Sequence, residues 1–321
     1  MKALKKQLDF ELKNSLKNDF IETVFIGGGT PSTIKASEYK EIFEMIKPFL
    51  VEKAEITTEA NPNSATRSWL EQMYNLGVNR VSFGVQSFNN KKLDFLNRAH
   101  NEKTAREAIE NASCIGFNGI NCDIIYGVEN DSFETLKKDF DTVFSLPVTH
   151  LSAYSLTIEE GTKFYNKSSV KIDDEELSYK IFEYLELNGF HQYEISNFAK
   201  SKSFQSKHNF GYWQHKNYLG VGAGAVGFVD KKRYYPEKSL EKYIENPTNY
   251  EVETLSDEDI KVEKILLGLR CINGFDKSLL IKEELIRLSH LIEDNKLYEI
   301  DGRIVNKNFL LADELALYIL Q

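Results

Sequence analysis

Short apolar and β-branched runs alternate along this chain with longer stretches in which apolar positions recur every three or four residues. The short runs are "ETVFIGGG" (22–29), "AEITTEAN" (54–61), "NRVSFGVQS" (79–87), "GINCDIIYG" (119–127) and "HLSAYSLT" (150–157). Between them lie "SEYKEIFEMIKPFL", "SATRSWLEQMYNLG", "NEKTAREAIENASCIG" and "SFETLKKDFDTVFSL", which carry helical spacing. Strands alternating with helices predict right-handed crossovers and a parallel sheet. Such a series suits either a (β/α) barrel or an open doubly wound sheet, and periodicity alone does not separate the two. Ahead of the first run, Leu4, Leu8, Leu12 and Leu16 recur among charges and predict a surface amphipathic helix.

Beyond residue 160 the pattern changes. "DDEELSYKIFEYLELNGF" reads as a helix, and "HQYEISNFAK" and "YLGVGAGAVGFVDKKRYY" read as strands with tight glycine turns. A boundary follows near "ENPTNYEVETLSDEDI", where Ser256 and Asp259 are spaced for a capping box. The tail reads as helix, β-hairpin around Asp301-Gly302, then helix, a winged-helix-like unit. The α/β chain thus divides into a parallel β/α region (1–160), a helix with a small antiparallel sheet (161–245) and a C-terminal winged-helix-like domain (246–321).

Strand parity sorts the polar residues. Val81, Phe83 and Val85 share one face of their strand; Ser82, Gly84 and Gln86 share the other. Asn121 and Asp123 alternate with Cys122 and Ile124, and Thr57 and Glu59 lie opposite Ile56 and Thr58. A buried, unpaired carboxylate costs several kcal/mol, roughly, unless a partner or ligand satisfies it. Glu59, Gln86 and Asp123 lie near the carboxyl ends of successive strands, the edge where α/β folds place their sites. The other use of such groups is to cap helices or to bridge one another. The glycines of "FIGGGTPS" close the first run at the same edge and expose backbone groups to a ligand, unless the turn serves only to reverse the chain.

Composition narrows the function classes. The 321 residues are 41% hydrophobic and 28% charged, as in an ordinary globular protein. A net charge of -9 argues against broad nucleic-acid binding and makes packing or partner contact the expected use of the winged-helix-like tail. No apolar run is long enough to span a bilayer. Cys114, Cys122 and Cys271 stand far apart, which fits a reducing cytoplasm and predicts small buried hydrophobes.

"FIGGGTPS", "TTEANPNS", "NRVSFGVQSFNNKKLDFLNRAH", "INCDIIYG", "HLSAYSLTIEEGT" and "YEISNFAK" together resemble, in order and spacing, the oxygen-independent coproporphyrinogen III oxidase family of radical SAM proteins. "HNFGYW" (208–213) is similar to the His-Asn-x-x-Tyr-Trp motif of its HemW branch, the haem chaperones. The resemblance implies a radical-SAM-type barrel and an S-adenosylmethionine site. Gly28, Gly29 and Thr30 correspond to the turn around the methionine end of that cofactor. Glu59, Gln86, Arg98 and Asp123 correspond to its polar contacts, with backbone contacts at Thr157. A guanidinium such as that of Arg98 suits the methionine carboxylate. The resemblance also implies haem as ligand and respiratory haem proteins as acceptors, with His208, Asn209, Tyr212 and Trp213 as the haem-binding candidates.

The sequence departs from the family in one respect. The family's Cys-x-x-x-Cys-x-x-Cys loop, which holds a 4Fe-4S cluster, has no counterpart here, and "MKALKKQLDFEL" resembles the helix that follows that loop. The chain therefore reads as a barrel without its first strand, by truncation or by loss. Its cofactor site is expected to be partial, with no cleavage of S-adenosylmethionine, and its open strand edge invites self-association. His208 is either a haem ligand or a structural imidazole among aromatics. A haem chaperone and an oxygen-independent coproporphyrinogen III oxidase are the competing functions. A Soret shift on adding haemin supports the first, and oxidase activity would need the cluster.

Overall fold

In the computed structural model, which describes residues 1–16, 19–158, 164–165, 170–172 and 174–321, each of the apolar runs forms a strand. In chain order the first half reads α1 (Lys2–Asn14), β1 (Ile21–Ile26), α2 (Lys40–Ile46), β2 (Leu50–Ala60), α3 (Arg67–Leu76), β3 (Arg80–Gln86), α4 (Asn90–Phe95), α5 (Glu102–Ile115), β4 (Gly119–Tyr126), α6 (Phe133–Ser145) and β5 (His150–Ser155). The strands lie in the order β1-β2-β3-β4-β5, and the pairs from β2 to β5 are parallel. The order steps in one direction without the mid-sheet reversal of a doubly wound sheet. That decides the alternative left open by periodicity in favour of barrel-type winding.

Helix ends follow local chemistry. The Thr66 side chain accepts from the Trp69 N–H at the start of α3, and Gly77 ends the helix at φ 109. Asn101 and Gly116 do the same for α5. Their buried faces, Leu70 and Met73 on α3 and Ala105, Ile109 and Ala112 on α5, belong to one core with Val81, Phe83, Ile120, Cys122 and Leu151 of the strands. Cys122 and Cys271 are buried as expected, but Cys114 is exposed. It stands on α5 outside the stripe Ala105–Ala108–Ile109–Ala112, so helical phase turns it outward.

The second half adds α7 (Glu175–Leu187), β6 (His191–Gln192), β7 (Asn197–Ala199), α8 (Lys207–Trp213), β8 (Gly227–Val229), β9 (Lys232–Pro236), α9 (Leu240–Glu245), β10 (Tyr250–Thr254), α10 (Asp257–Gly268), β11 (Phe275–Asp276), α11 (Lys282–Glu293), β12 (Leu297–Ile300), β13 (Arg303–Asn306) and α12 (Ala312–Leu320). Strand β7 pairs antiparallel with β5 and then with β6, closing the large sheet. The β8–β9 hairpin turns through Asp230 and Lys231, both at positive φ, so this turn is made without glycine. The Ser256–Asp259 capping box opens α10, and Asp301 and Gly302 form the β12–β13 turn at positive φ.

The chain divides into two compact units whose limits do not coincide with the sequence-derived boundaries; the boundary at 160 lies outside the described residues. One unit comprises Thr23–Phe43 and Ala54–Gln205, the other Met1–Glu22, Glu44–Lys53 and Ser206–Gln321. In the latter, α1 buries not only Leu8 and Leu12 but also Gln7 and Glu11. The Gln7 amide donates to Gly220 O and Tyr250 Oη, both at 3.1 Å, and accepts from the Gly222 N–H at 2.8 Å and the Tyr243 hydroxyl at 2.6 Å. Tyr250 in turn donates to Glu11. Gln7→Leu removes these bonds while keeping the side-chain volume. Urea unfolding is expected to show a loss of about 2–4 kcal/mol, because buried partners are left unsatisfied.

Candidate functional site

The parallel register sets the polar residues side by side. Glu59 lies opposite Ser82, Ser82 opposite Asn121, and Asn121 opposite His150. One step along, Asp123 lies opposite Ser152 and Ile125 opposite Tyr154. This is one face of the sheet; Phe83, Cys122 and Leu151 occupy the other, fully buried. Below these rows, Arg80 is buried and donates to Phe204 O at 2.8 Å. Gly119 makes room for it, since a Cβ there would stand 2.9 Å from Arg80 Cγ.

Asn121 links the face together. Its amide nitrogen lies 2.6 Å from Asp123 Oδ1, 2.7 Å from Ser82 Oγ and 3.0 Å from Ser152 Oγ. Its oxygen lies 2.6 Å from His150 Nδ1, and His150 Nε2 lies 2.5 Å from Tyr193 Oη. An amide oxygen can only accept, so the His150 proton sits on Nδ1, and Nε2 accepts from the Tyr193 hydroxyl. Burial, with Arg80 nearby, holds the His150 pKa well below its ordinary value and keeps the ring neutral.

At the carboxyl edge, Gln86, Asp123 and Thr157 line one cavity of about 310 Å³ together with Ile125, Tyr154, Ser155 and Leu156. Burial raises the Asp123 carboxyl to about 6, against the pull of hydrogen bonds from Ser152, Asn121 and Ser82 and of the Arg80 charge. Glu59 is also raised, first by burial and then by the Asp123 charge, while the Gly28 N–H donates to it. Burial lowers Arg98, and Asp123 opposes that shift. Glu59 and Arg98 therefore adjoin the cavity through Asp123 rather than appearing in its lining. Arg98 Nε is buried with no hydrogen-bond partner among the described residues.

The glycine turn sits beside Glu59. Gly28 has φ +79, and a Cβ at Gly28 or Gly29 would meet open space. Gly27, which sequence reasoning passed over, is the glycine demanded by packing: a Cβ there would lie 2.5 Å from the Phe25 ring and 3.0 Å from Glu59 Cδ. Thr30 O accepts from the Thr33 hydroxyl, and Ser32 Oγ binds Ser64 Oγ at 2.6 Å and the Asn61 N–H at 3.0 Å, tying this turn to the loop after β2. Arg80, His150, Tyr154 and Glu194 were missed as well. Tyr154 and Ser155 could have been found from the rule that placed Glu59, Gln86 and Asp123, since they lie at the carboxyl end of β5. Buried Glu194 accepts from the Ser196 N–H at 3.3 Å and titrates at about 7 because of its burial.

The remaining candidates lie on α8, in the other unit. His208 Nε2 is 3.1 Å from Tyr212 Oη, with the rings edge to face at 4.9 Å. Tyr212 stacks edge-on against Tyr218 at 4.7 Å. The Asn209 N–H donates to Ser206 Oγ, and Trp213 Nε1 is buried with no partner among the described residues. His215 binds Glu263 at 2.7 Å, and His191 binds Glu186 at 2.9 Å.

Comparison with known proteins gives the chain a lineage. The heme chaperone HemW of Bacillus subtilis is 36% identical over 275 residues, covering 80% of this chain and 72% of that protein. This chain belongs to the HemW family. The heme chaperone HemW of Escherichia coli is 38% identical over 231 residues, covering 68% of this chain and 61% of that protein. The radical SAM superfamily description matches residues 6–143, which carry the glycine turn, Glu59, Gln86, Arg98 and Asp123. Coproporphyrinogen III oxidase (HemN) from Escherichia coli, a radical SAM enzyme, superposes on 99% of this HemW-family chain and 82% of its own, with a TM-score of 0.82 and 20% identity. That likeness establishes the fold, a mixed α/β architecture with a parallel sheet like the HemN barrel. Among the described residues no helix is long and apolar enough to cross a membrane.

The raised carboxyls make a signed prediction. Asp123 and Glu194 bind their protons more tightly in the folded chain than in the unfolded one, where carboxyls titrate near ~4. Their contribution to stability is therefore highest below about pH 4 and declines as pH rises through about 6 for Asp123 and about 7 for Glu194. Asp123→Asn removes the first penalty. It is expected to stabilise the fold by about 1–3 kcal/mol at pH 8 and by much less at pH 4 in urea unfolding. An equal effect at both pH values would contradict the assignment.

Proposed function

We propose that this chain is a haem chaperone of the radical SAM type, which takes up haem on α8 and passes it to respiratory haem proteins in the cytoplasm. The observation that carries the reading is α8 itself. His208 and Tyr212 stand one helical turn apart as a contacting pair, and the buried Trp213 N–H has no acceptor among the described residues. A neutral imidazole ligates haem iron, aromatic faces cover a porphyrin, and a buried N–H suits a propionate carboxylate. The relatives named heme chaperone support the same reading. The likeness to HemN concerns fold alone and gives no reason to prefer the oxidase.

The second ligand in this reading is S-adenosylmethionine. The open space at Gly28 and Gly29, the carboxyl of Glu59 and the unpartnered Arg98 Nε fit an amino acid moiety, and Gln86, Asp123 and Thr157 fit the rest from within the cavity. When bound, that cofactor supplies a sulfonium centre. The superfamily's 4Fe-4S cluster is a different matter. With Cys114 exposed on α5 and Cys122 and Cys271 buried apart, the cysteines of this chain do not fit its ligand set. We read the large sheet as part of a radical-SAM-type barrel with β1 at one edge, and residues 246–321 as a winged-helix-like domain.

Haemin titration tests the main reading. The chain is expected to give a Soret shift that saturates at one haem per chain, and His208→Ala is expected to weaken it at least ~10-fold with circular dichroism unchanged. A folded variant that binds haem as before would remove His208 as the ligand.

A further inference from the structure

Gln86 is a non-glycine residue in the left-handed region, with φ 69. The Ser87 N–H donates to Val85 O at 2.8 Å, closing a three-residue γ-turn centred on Gln86. With positive φ at its centre, such a turn is rare and strained. It also breaks the sheet register: Phe83 faces Cys122, but Gln86 faces Ile124. Register alone would give Gln86 the apolar face of Ile124, whereas the turn returns its side chain to the polar side. There Gly84 leaves space, since a Cβ would stand 3.1 Å from Gln86 Nε2.

Strain of this kind persists only where the surroundings over-determine it. Two buried residues do so. His100 Nε2 lies 2.8 Å from the same Val85 O, so that carbonyl accepts from both sides. Burial lowers the His100 pKa, and the neutral ring donates from Nε2. Asp139, on α6 and 3% exposed, accepts from the Ser87 hydroxyl at 2.6 Å and from the Phe88 N–H at 2.8 Å. The Asn89 N–H donates to Ser87 Oγ at 3.0 Å, so that hydroxyl is engaged twice. The segment leaves β3 at Gln86, runs through α4 and returns to its origin at His100. Arg98 lies two residues before that return, its N–H bound to Leu93 O at 2.8 Å.

We infer that His100 and Asp139 are positioning residues that hold Gln86 in a strained γ-turn and so aim its amide into the cavity at the carboxyl edge. The ligand-binding part of this inference rests on the cofactor reading above; the strain does not.

Two measurements on the full chain decide it. Thermal unfolding compares Gln86→Gly with Gln86→Ala, since both delete the amide but only glycine relieves the backbone. Gln86→Gly is expected to melt about 2–4 °C higher; equal melting temperatures would overturn the strained turn. Titration with S-adenosylhomocysteine then separates positioning from general support. Asp139→Ala is expected to weaken binding about 10-fold, Asp139→Asn to restore most of it, and neither to weaken it further in a Gln86→Ala background. Equal weakening in both backgrounds would overturn the positioning role. Should Asp139→Ala not fold, Ser87→Ala takes its place. If the wild-type chain binds no S-adenosylhomocysteine, the cofactor reading fails. Amide exchange at Ser87 then decides the positioning: protection lost in Asp139→Ala supports it, and protection retained overturns it.

Discussion

The hydrogen bond between Asn121 and Asp123 organises the larger unit. A carboxylate inside a parallel sheet must be satisfied or it unfolds its surroundings, and Asn121 satisfies it from two residues away on the same strand. The same amide accepts from His150, which accepts from Tyr193, so a directed chain of donors runs from β7's approach to the cavity. Tyr193 and His150 each have one proton to give, and the Asn121 NH2 has two to share among Asp123, Ser82 and Ser152. The ionised Asp123 can only accept, facing the cavity. Burial then raises its proton affinity, and its negative charge in turn raises Glu59 and opposes the lowering of Arg98. The acidic and basic groups of the site are thereby coupled through one carboxyl.

Around that centre the site uses backbone devices where side chains cannot serve. Gly27 lets the Phe25 ring and Glu59 close in, and Gly119 does the same for Arg80. Ser32 joins the glycine turn to the loop after β2, so the loops of neighbouring strands are tied together. The γ-turn at Gln86 extends the principle, with stability given up at one residue and held in place by buried partners. In the other unit a buried amide, that of Gln7, plays the organising part that Asn121 plays here, fixing α1 to the glycine loop at Gly220–Gly222.

Much of this was legible in the sequence. The alternation of apolar runs gave the strands, and parity alone put Glu59, Ser82, Asn121 and Asp123 on one face, because a parallel register carries each residue's parity to its neighbour. Parity also named Gln86, but for a reason the structure replaces: the register slips before it, and a left-handed turn restores the side. Such a turn in a residue other than glycine leaves no trace in composition. Arg80, His150 and Glu194 were invisible for other reasons. Arg80 and His150 are satisfied by partners distant in sequence, Phe204 and Tyr193, and a lone polar residue in a strand reads as solvent-facing, whereas Glu194 takes its hydrogen bond from the loop just after it. Cys114 was misjudged by residue type where helical phase decided, and the β8–β9 turn used Asp230 and Lys231 where glycine was expected.

The central claim is that a directed hydrogen-bond chain, Tyr193 to His150 to Asn121 to Asp123, presents the Asp123 carboxyl to the cavity. Nitrogen-15 NMR of the His150 ring tests it most directly. The account predicts a neutral imidazole with its proton on Nδ1 from about pH 6 to about pH 8, a window that an ordinary histidine enters mostly charged. An imidazolium in that window, or a proton on Nε2, would reverse the chain and contradict the account.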